Sequence, residues 1–333
     1  MDEKDKKDFF SYFNKPPKEN PRFRFLLPLL LFILTFITTT LAGFEWIRGQ
    51  ANSFDVSELV IGLPYSFSIM LFLSFHEFGH YFASRFHKVD ASLPYFIPFA
   101  SFLGFLNFGT FGAVIKTRTA IPTKKALFDI GASGPIAGFV ISMGLVIYGF
   151  SHLPSKEFLM HIHPDYGTAE YGKNAISLTF GDSLLFSALR AMFTNASDFI
   201  PPMSEIYHYP FLCAGWFGLF VTSMNLVPVG QLDGGHIAYA LLGEKKHYAV
   251  ASVSMICLII LGFLGILKAF AFDWIPFGWP GWLFWSIILY FVVKIKHPPI
   301  YDFQKLDKKR KFLGWISLII FLLSFSPTPF NIQ

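Results

Sequence analysis

Leu59-Val-Ile-Gly-Leu-Pro-Tyr-Ser-Phe-Ser-Ile-Met-Leu-Phe-Leu-Ser-Phe-His76-Glu77-Phe-Gly-His80-Tyr-Phe-Ala-Ser84 carries a single charged side chain, Glu77, and that one stands between two histidines. A bilayer crossing needs roughly 20 mainly apolar residues, so the stretch reads as a transmembrane helix. An ionisable group in hydrocarbon costs roughly 2.5–3.5 kcal/mol even on insertion scales, which marks Glu77 and its neighbours as functional rather than packing residues. Positions i and i+4 of a helix share a face. His76 and His80 therefore present two imidazoles to one metal ion. Glu77, about 100° around the helix, is near enough to act on a water at that metal. In a chain of this composition chance produces such a pentad on the order of 0.01 times.

The rest of the chain has the same character. Of its 333 residues 53% are hydrophobic and 15% charged, Phe alone fills 43 positions, and the mean hydropathy is +0.48. A soluble domain carries about 25% charge. A soluble enzyme, a disordered protein and a nucleic-acid module are excluded, and the partner implied is the lipid bilayer. Cys213 and Cys257 both fall in apolar runs, so neither a disulfide framework nor a Cys-based zinc site is on offer.

The apolar runs predict an all-α polytopic membrane protein with about seven transmembrane helices, near 26–47, 58–84, 126–150, 209–241, 248–272, 281–296 and 312–328. The first run is longer than a signal-peptide core and lacks a small-x-small cleavage site. Residues 1–25, charged and Pro-containing, read as a cytoplasmic tail. With the N-terminus inside, 22 of the 27 Lys and Arg residues fall on the cytoplasmic side and five on the other, as the positive-inside rule requires. The net charge of +5 is then a product of topology rather than a basic partner surface. The division is a tail (1–25), a first transmembrane helix with a short outer loop (26–57), a membrane core (58–241) and three C-terminal transmembrane helices (242–333). The cell inner membrane is the expected location.

Two connections within the core are too long to be turns. Residues 88–123 hold abundant Phe, Pro and Gly without helical periodicity, and Gly109–Thr119 ends in a β-leaning alternation. Irregular backbone at membrane depth is tolerated only against protein or a water-filled cavity, so this segment reads as a re-entrant strand or hairpin. Gly104, Gly109 and Gly112 have no Gly-Lys-Ser/Thr after them, which rules against a phosphate loop. The second connection, 151–208, is an outer loop. Its His161 and His163 could bind a metal, but two histidines in a polar loop read as solvated; its stretch 183–193 reads as an amphipathic segment on the membrane surface or against the bundle.

Two histidines leave a catalytic metal site one protein ligand short, with a fourth position kept for water. Asp129, beside Lys124 and Lys125, is explained by an interfacial ion pair. Asp233 lies in Asn225-Leu-Val-Pro228-Val-Gly-Gln-Leu-Asp233-Gly234-Gly235-His236, where proline and glycines break or loosen the helix, tolerable only at a polar cavity. Asp233 is the candidate third ligand and His236 the alternative. Spans two and four both run outside to inside. His76, His80 and Asp233 therefore share the cytoplasmic half of the membrane.

His76-Glu-Phe-Gly-His80, the Gly-rich Gly131-Ala-Ser-Gly134-Pro-Ile-Ala-Gly138 and Asn225-x-x-Pro-x-x-x-Leu-Asp233-Gly together resemble the three-span catalytic core of the site-2 proteases, intramembrane zinc metalloproteases. The resemblance covers about 58–241. His297-Pro-Pro and Lys308–Pro329 extend it toward a branch without a PDZ domain that includes chloroplast and prokaryotic members. It implies one Zn2+ per chain held by His76, His80 and Asp233, with Glu77 as catalytic base and Asn225 contacting substrate or oxyanion. The implied partner is a transmembrane protein or peptide substrate, cut in or near its membrane segment; the oligomeric state is left open. A transporter using the same His/Glu/Asp cluster as an ion or proton path is the alternative, although the halves show no internal repeat.

Overall fold

Long apolar runs become long helices because a backbone in hydrocarbon has to satisfy its hydrogen bonds within its own segment. The computed structural model describes residues 21–49, 56–99, 107–169, 171–172, 178–270, 274–300, 302 and 304–332. Most of the tail and Gly104 lie outside the described residues. Helix α1 (Pro21–Arg48) is followed by a 3-10 turn, Val56–Gly62, that runs directly into α2 (Leu63–Phe86). Pro64 sits in the first turn of α2, where its missing N–H leaves no partner unsatisfied. Strands β1 (Tyr95–Pro98) and β2 (Thr110–Val114) then form an antiparallel pair in the register Tyr95↔Val114, Phe96↔Ala113 and Pro98↔Thr110. Helix α3 (Lys124–Ser151) starts at Thr123, whose side chain accepts the Ala126 N–H, a standard N-cap.

The outer connection folds into α4 (Lys156–Ile162), β3 (Leu178–Phe180) and α5 (Leu184–Phe193). There follow α6 (Pro210–Leu226), α7 (Asp233–Leu242), α8 (Glu244–Ala269), α9 (Gly281–Ile288), which continues through a π turn at Leu289–Val293, and α10 (Lys308–Ser324). Strand β4 (Phe330–Ile332) returns to pair with β3, bringing Phe330 opposite Phe180. That second small sheet was not expected from the sequence. Its strands are three residues each and about 150 residues apart, too short to leave a readable period.

Among the described residues four helices are long and apolar enough to cross a membrane: Arg22–Arg48, Ser57–Phe86, Lys124–Ser151 and Glu244–Ala269. The three other expected spans form shorter helices. The run 209–241 in particular is two helices rather than one, broken across 227–232, where Gly230 takes a positive φ of 53°. Asp233 is therefore the first residue of a new helix and not a residue within a loosened span. On α8, Val253, Ile256, Ile260, Phe263 and Leu267 stand exposed at three- and four-residue spacing. A continuous exposed apolar stripe of this kind is a surface for membrane or protein contact rather than for water.

The centre of the bundle is α2 against α3, with α6 packed on both and α7 packed on α3. Phe72, Val146, Leu212, Trp216, Phe217 and Phe220 form its apolar core. Asp129 is held in the expected ion pair, but with another partner. Its carboxylate bonds Arg310 of α10, at 2.8 Å from Nε and 2.5 Å from an Nη, and His87 Nε2 at 2.7 Å, rather than Lys124 or Lys125. The partner that wins is a planar guanidinium able to engage both carboxylate oxygens. The cap of α10, Asp307, accepts the Arg310 N–H and orients that side chain.

Candidate active site

His76 and His80 lie one helical turn apart on the buried face of α2, 3% and 6% exposed. What lets them fit is the small-residue stripe on α3. A Cβ on Gly134 would stand 2.0 Å from His80 Nε2, and one on Gly138 would stand 3.1 Å from His76 Nδ1. The two helices approach closely because the facing positions of α3 have no side chain to interpose.

His80 donates its Nδ1–H to the Ile130 carbonyl at 2.6 Å. A carbonyl can only accept, so this bond fixes the tautomer and leaves a lone pair on Nε2. That Nε2 lies 3.1 Å from His76 Nε2. Asp233 Oδ2 is 3.3 Å from His80 Nε2 and 3.5 Å from His76 Nε2. Asp233 reaches the pair because it opens α7 immediately after the break in the chain. Asn225, in the last turn of α6, places Nδ2 3.3 Å from His76 Nε2.

These donors fit a metal. With ligand bonds of about 2.0–2.1 Å, a tetrahedral site has edges of about 3.3 Å, and the three observed edges are 3.1, 3.3 and 3.5 Å. Two imidazole nitrogens and one carboxylate oxygen are donor types that zinc takes. His76 Nδ1, which faces Gly138 rather than this group, is buried without a hydrogen-bond partner. Two His and one carboxylate leave one coordination position open, the pattern of a catalytic rather than a structural zinc site.

Glu77, 6% exposed, faces the same cavity and takes a hydrogen bond from the Ile115 backbone just past β2. The cavity has a volume of about 530 Å3 and is lined by the two histidines, Glu77, Asn225 and Asp233, with Ala113–Ile115 along one wall. That volume is within the range of small-ligand sites. The segment expected to be a re-entrant hairpin thus forms β1 and β2 and walls the polar cavity.

His236, the alternative third ligand, is engaged elsewhere. His297 donates Nδ1–H to the Pro298 carbonyl at 2.6 Å, so its Nε2 accepts the Nδ1–H of His236 at 2.8 Å. Burial holds His297, in the loop before α10, below its ordinary pKa. His297 and the Ile130 carbonyl were not legible as parts of the site from residue spacing, since both reach it only through tertiary packing.

The profile of peptidase family M50 matches residues 64–264, which include all five of these polar residues. The chain belongs to peptidase family M50. This is the site-2 protease family that the motifs resemble. The probable zinc metalloprotease EGY1, chloroplastic, of Arabidopsis thaliana is 29% identical over 267 residues, 80% of this chain and 43% of that protein. Its counterpart from Oryza sativa subsp. japonica is 31% identical over 204 residues, 60% of this chain and 32% of that protein. The Arabidopsis EGY2, also named a probable zinc metalloprotease, is 25% identical over 281 residues, 84% and 44% respectively. The chain spans less than half the length of these relatives. No solved structure matches it.

Proposed function

We propose that this M50 chain is an intramembrane zinc metalloprotease that hydrolyses peptide bonds in or near transmembrane segments of membrane-protein substrates. The observation that carries the reading is the convergence of His76, His80 and Asp233 at tetrahedral spacing beside the buried Glu77. His76, His80 and Asp233 hold one Zn2+. When bound, zinc acidifies water toward a pKa of about 7 and polarises a carbonyl.

Glu77 accepts the proton of the attacking water and passes it to the leaving amine nitrogen. Its burial and the Ile115 N–H fix the carboxylate within the cavity. Asn225 turns its amide toward the same space and steadies the oxyanion that forms as the carbonyl is attacked. A helical substrate hides its carbonyls in hydrogen bonds and has to be unwound first. Strand β2, paired to β1 on one side only, docks the extended segment through its other edge, a mode of recognition that needs no particular sequence.

The topology that serves this chemistry has seven spans, the N-terminus in the cytoplasm and the site in the cytoplasmic half of the membrane. The segment 88–123 is re-entrant within a core of 58–241, between a first helix (26–57) and three C-terminal spans (242–333). It is supported by the 22-to-5 split of basic residues. No observation favours the transporter alternative. The test is metal removal. The full chain, reconstituted with a membrane-embedded peptide, loses cleavage on chelation and regains it with Zn2+; cleavage that persists in metal-free protein contradicts the proposal.

A further inference from the structure

A second group of metal-ligating side chains converges outside this site. His163 lies just beyond α4; Glu205 precedes, and His208 ends, the 3-10 turn Ile206–His208 that leads into α6. The polarity of the outer loop marks His163 as solvated, but the structure brings it to within 3.0 Å, Nε2 to Nε2, of His208. Glu205 Oε2 is 3.5 Å from His208 Nε2, and the side chains of His208 and Glu205 are 0% and 5% exposed. One donor atom from each of the three residues lies within 4.8 Å of the others.

Two of the three donors are prepared as ligands are. His208 gives its Nδ1–H to the Ile47 carbonyl at the end of α1, at 2.9 Å, which leaves the Nε2 lone pair aimed into the group. The Glu205 carboxylate takes the Ser204 hydroxyl on Oε1 at 3.0 Å and has the Tyr171 hydroxyl beside it. Oε2 is buried without a hydrogen bond, a costly state for a carboxylate oxygen. Two facing imidazole nitrogens share at most one proton, and the ion pair of His208 Nε2 with Glu205 Oε2 is long, at 3.5 Å. One cation satisfies all three donors.

Gly49 lets both rings pack close against the backbone. At Gly49, in the left-handed region with φ of 64°, a Cβ would stand 2.9 Å from His208 Cε1 and 3.5 Å from His163 Nε2. The His163–His208 and His208–Glu205 spacings of 3.0 and 3.5 Å are close to those among His76, His80 and Asp233 in the same chain. Imidazole donors suit zinc and its transition-metal neighbours, whereas Mg2+ and Ca2+ prefer all-oxygen sites.

We infer that His163, Glu205 and His208 bind a second Zn2+, which clamps the outer connection 151–208 to the end of α1 and the start of α6. Water fills the fourth position. The inference is independent of the protease reading, because it concerns other residues and is read out by metal content alone.

The test uses the full chain in detergent micelles, equilibrated with Zn2+ and freed of excess metal. Wild type carries two zinc ions per chain. The His76→Ala/Asp233→Ala variant, which leaves the second group untouched, carries one, and with Co2+ it shows the visible absorption of a tetrahedral nitrogen–oxygen site. The variant His163→Gln/Glu205→Gln also carries one, and the combined variant carries none. A His76→Ala/Asp233→Ala protein that is folded by circular dichroism and binds no zinc overturns the inference. So does zinc in that protein that survives His163→Gln/Glu205→Gln.

Discussion

The Nδ1–H of His80 is bound to the carbonyl of Ile130 at 2.6 Å, a hydrogen bond that crosses from α2 to α3. It orients the candidate metal-binding imidazole from its far side, so that Nε2 meets His76 and Asp233 rather than rotating among rotamers. Pre-setting a ligand in this way typically accounts for a 10–100-fold difference in metal affinity. The bond exists only because α3 presents Gly134 at the point of contact.

Gly134 is therefore the most sensitive residue of the stripe. Gly134→Ala places a methyl group 2.0 Å from His80 Nε2, and the ring has to leave its position. Zinc content measured on the purified chain falls, and cleavage falls with it. Gly144→Ala on the same helix, where a Cβ meets nothing within 4 Å, leaves both unchanged. Full zinc occupancy in Gly134→Ala would refute the packing argument.

Asn225→Ala separates the oxyanion role from metal binding. Loss of one such donor costs roughly 10²–10³-fold in kcat. The variant keeps its zinc, since Asn225 touches His76 at 3.3 Å but is outside the three-donor set. Steady-state kinetics showing a change in KM alone assigns Asn225 to substrate binding instead.

Arg310 joins α10 to α3 through Asp129. Arg310→Ala leaves Asp129 with His87 alone and lowers stability by about 1–2 kcal/mol, less than a fully buried charged pair because both side chains are about a quarter exposed. Thermal unfolding in detergent reports the loss as a lower midpoint, while cleavage per folded molecule is retained. An unchanged midpoint shows that the pair contributes nothing to holding α10.

Replacing Gly109–Val114 with a Pro-rich segment removes the N–H donors of β2. Proline cannot donate to a ladder, so an incoming substrate strand loses its partner. Cleavage of a transmembrane peptide disappears while zinc remains bound. Unaltered turnover excludes docking on this strand.

The candidate site was legible in the sequence in an unusually direct form. His76, Glu77 and His80 are read from one helical turn because 3.6-residue geometry fixes their faces before any tertiary contact exists. Asp233 is legible because a carboxylate amid glycines in an apolar run has few bland explanations. The rest depends on packing. His297 comes from a loop about 60 residues beyond His236, and Arg310 is 181 residues from Asp129. The second histidine pair, His163 and His208, is 45 residues apart. Nothing in local periodicity marks such partners. The break at 227–232 was visible in Pro228 and Gly230, but that a separate helix begins at Asp233 was not, because glycines at 234 and 235 weaken the helical signal where α7 starts.

The central claim is that Glu77 moves the proton while His76, His80 and Asp233 hold the metal. The most direct measurement is zinc content together with cleavage of a membrane-embedded peptide, made on wild type and Glu77→Gln. Glutamine keeps the shape and loses the base. The account predicts zinc retained at the wild-type level and cleavage reduced to background. Cleavage that survives Glu77→Gln contradicts it.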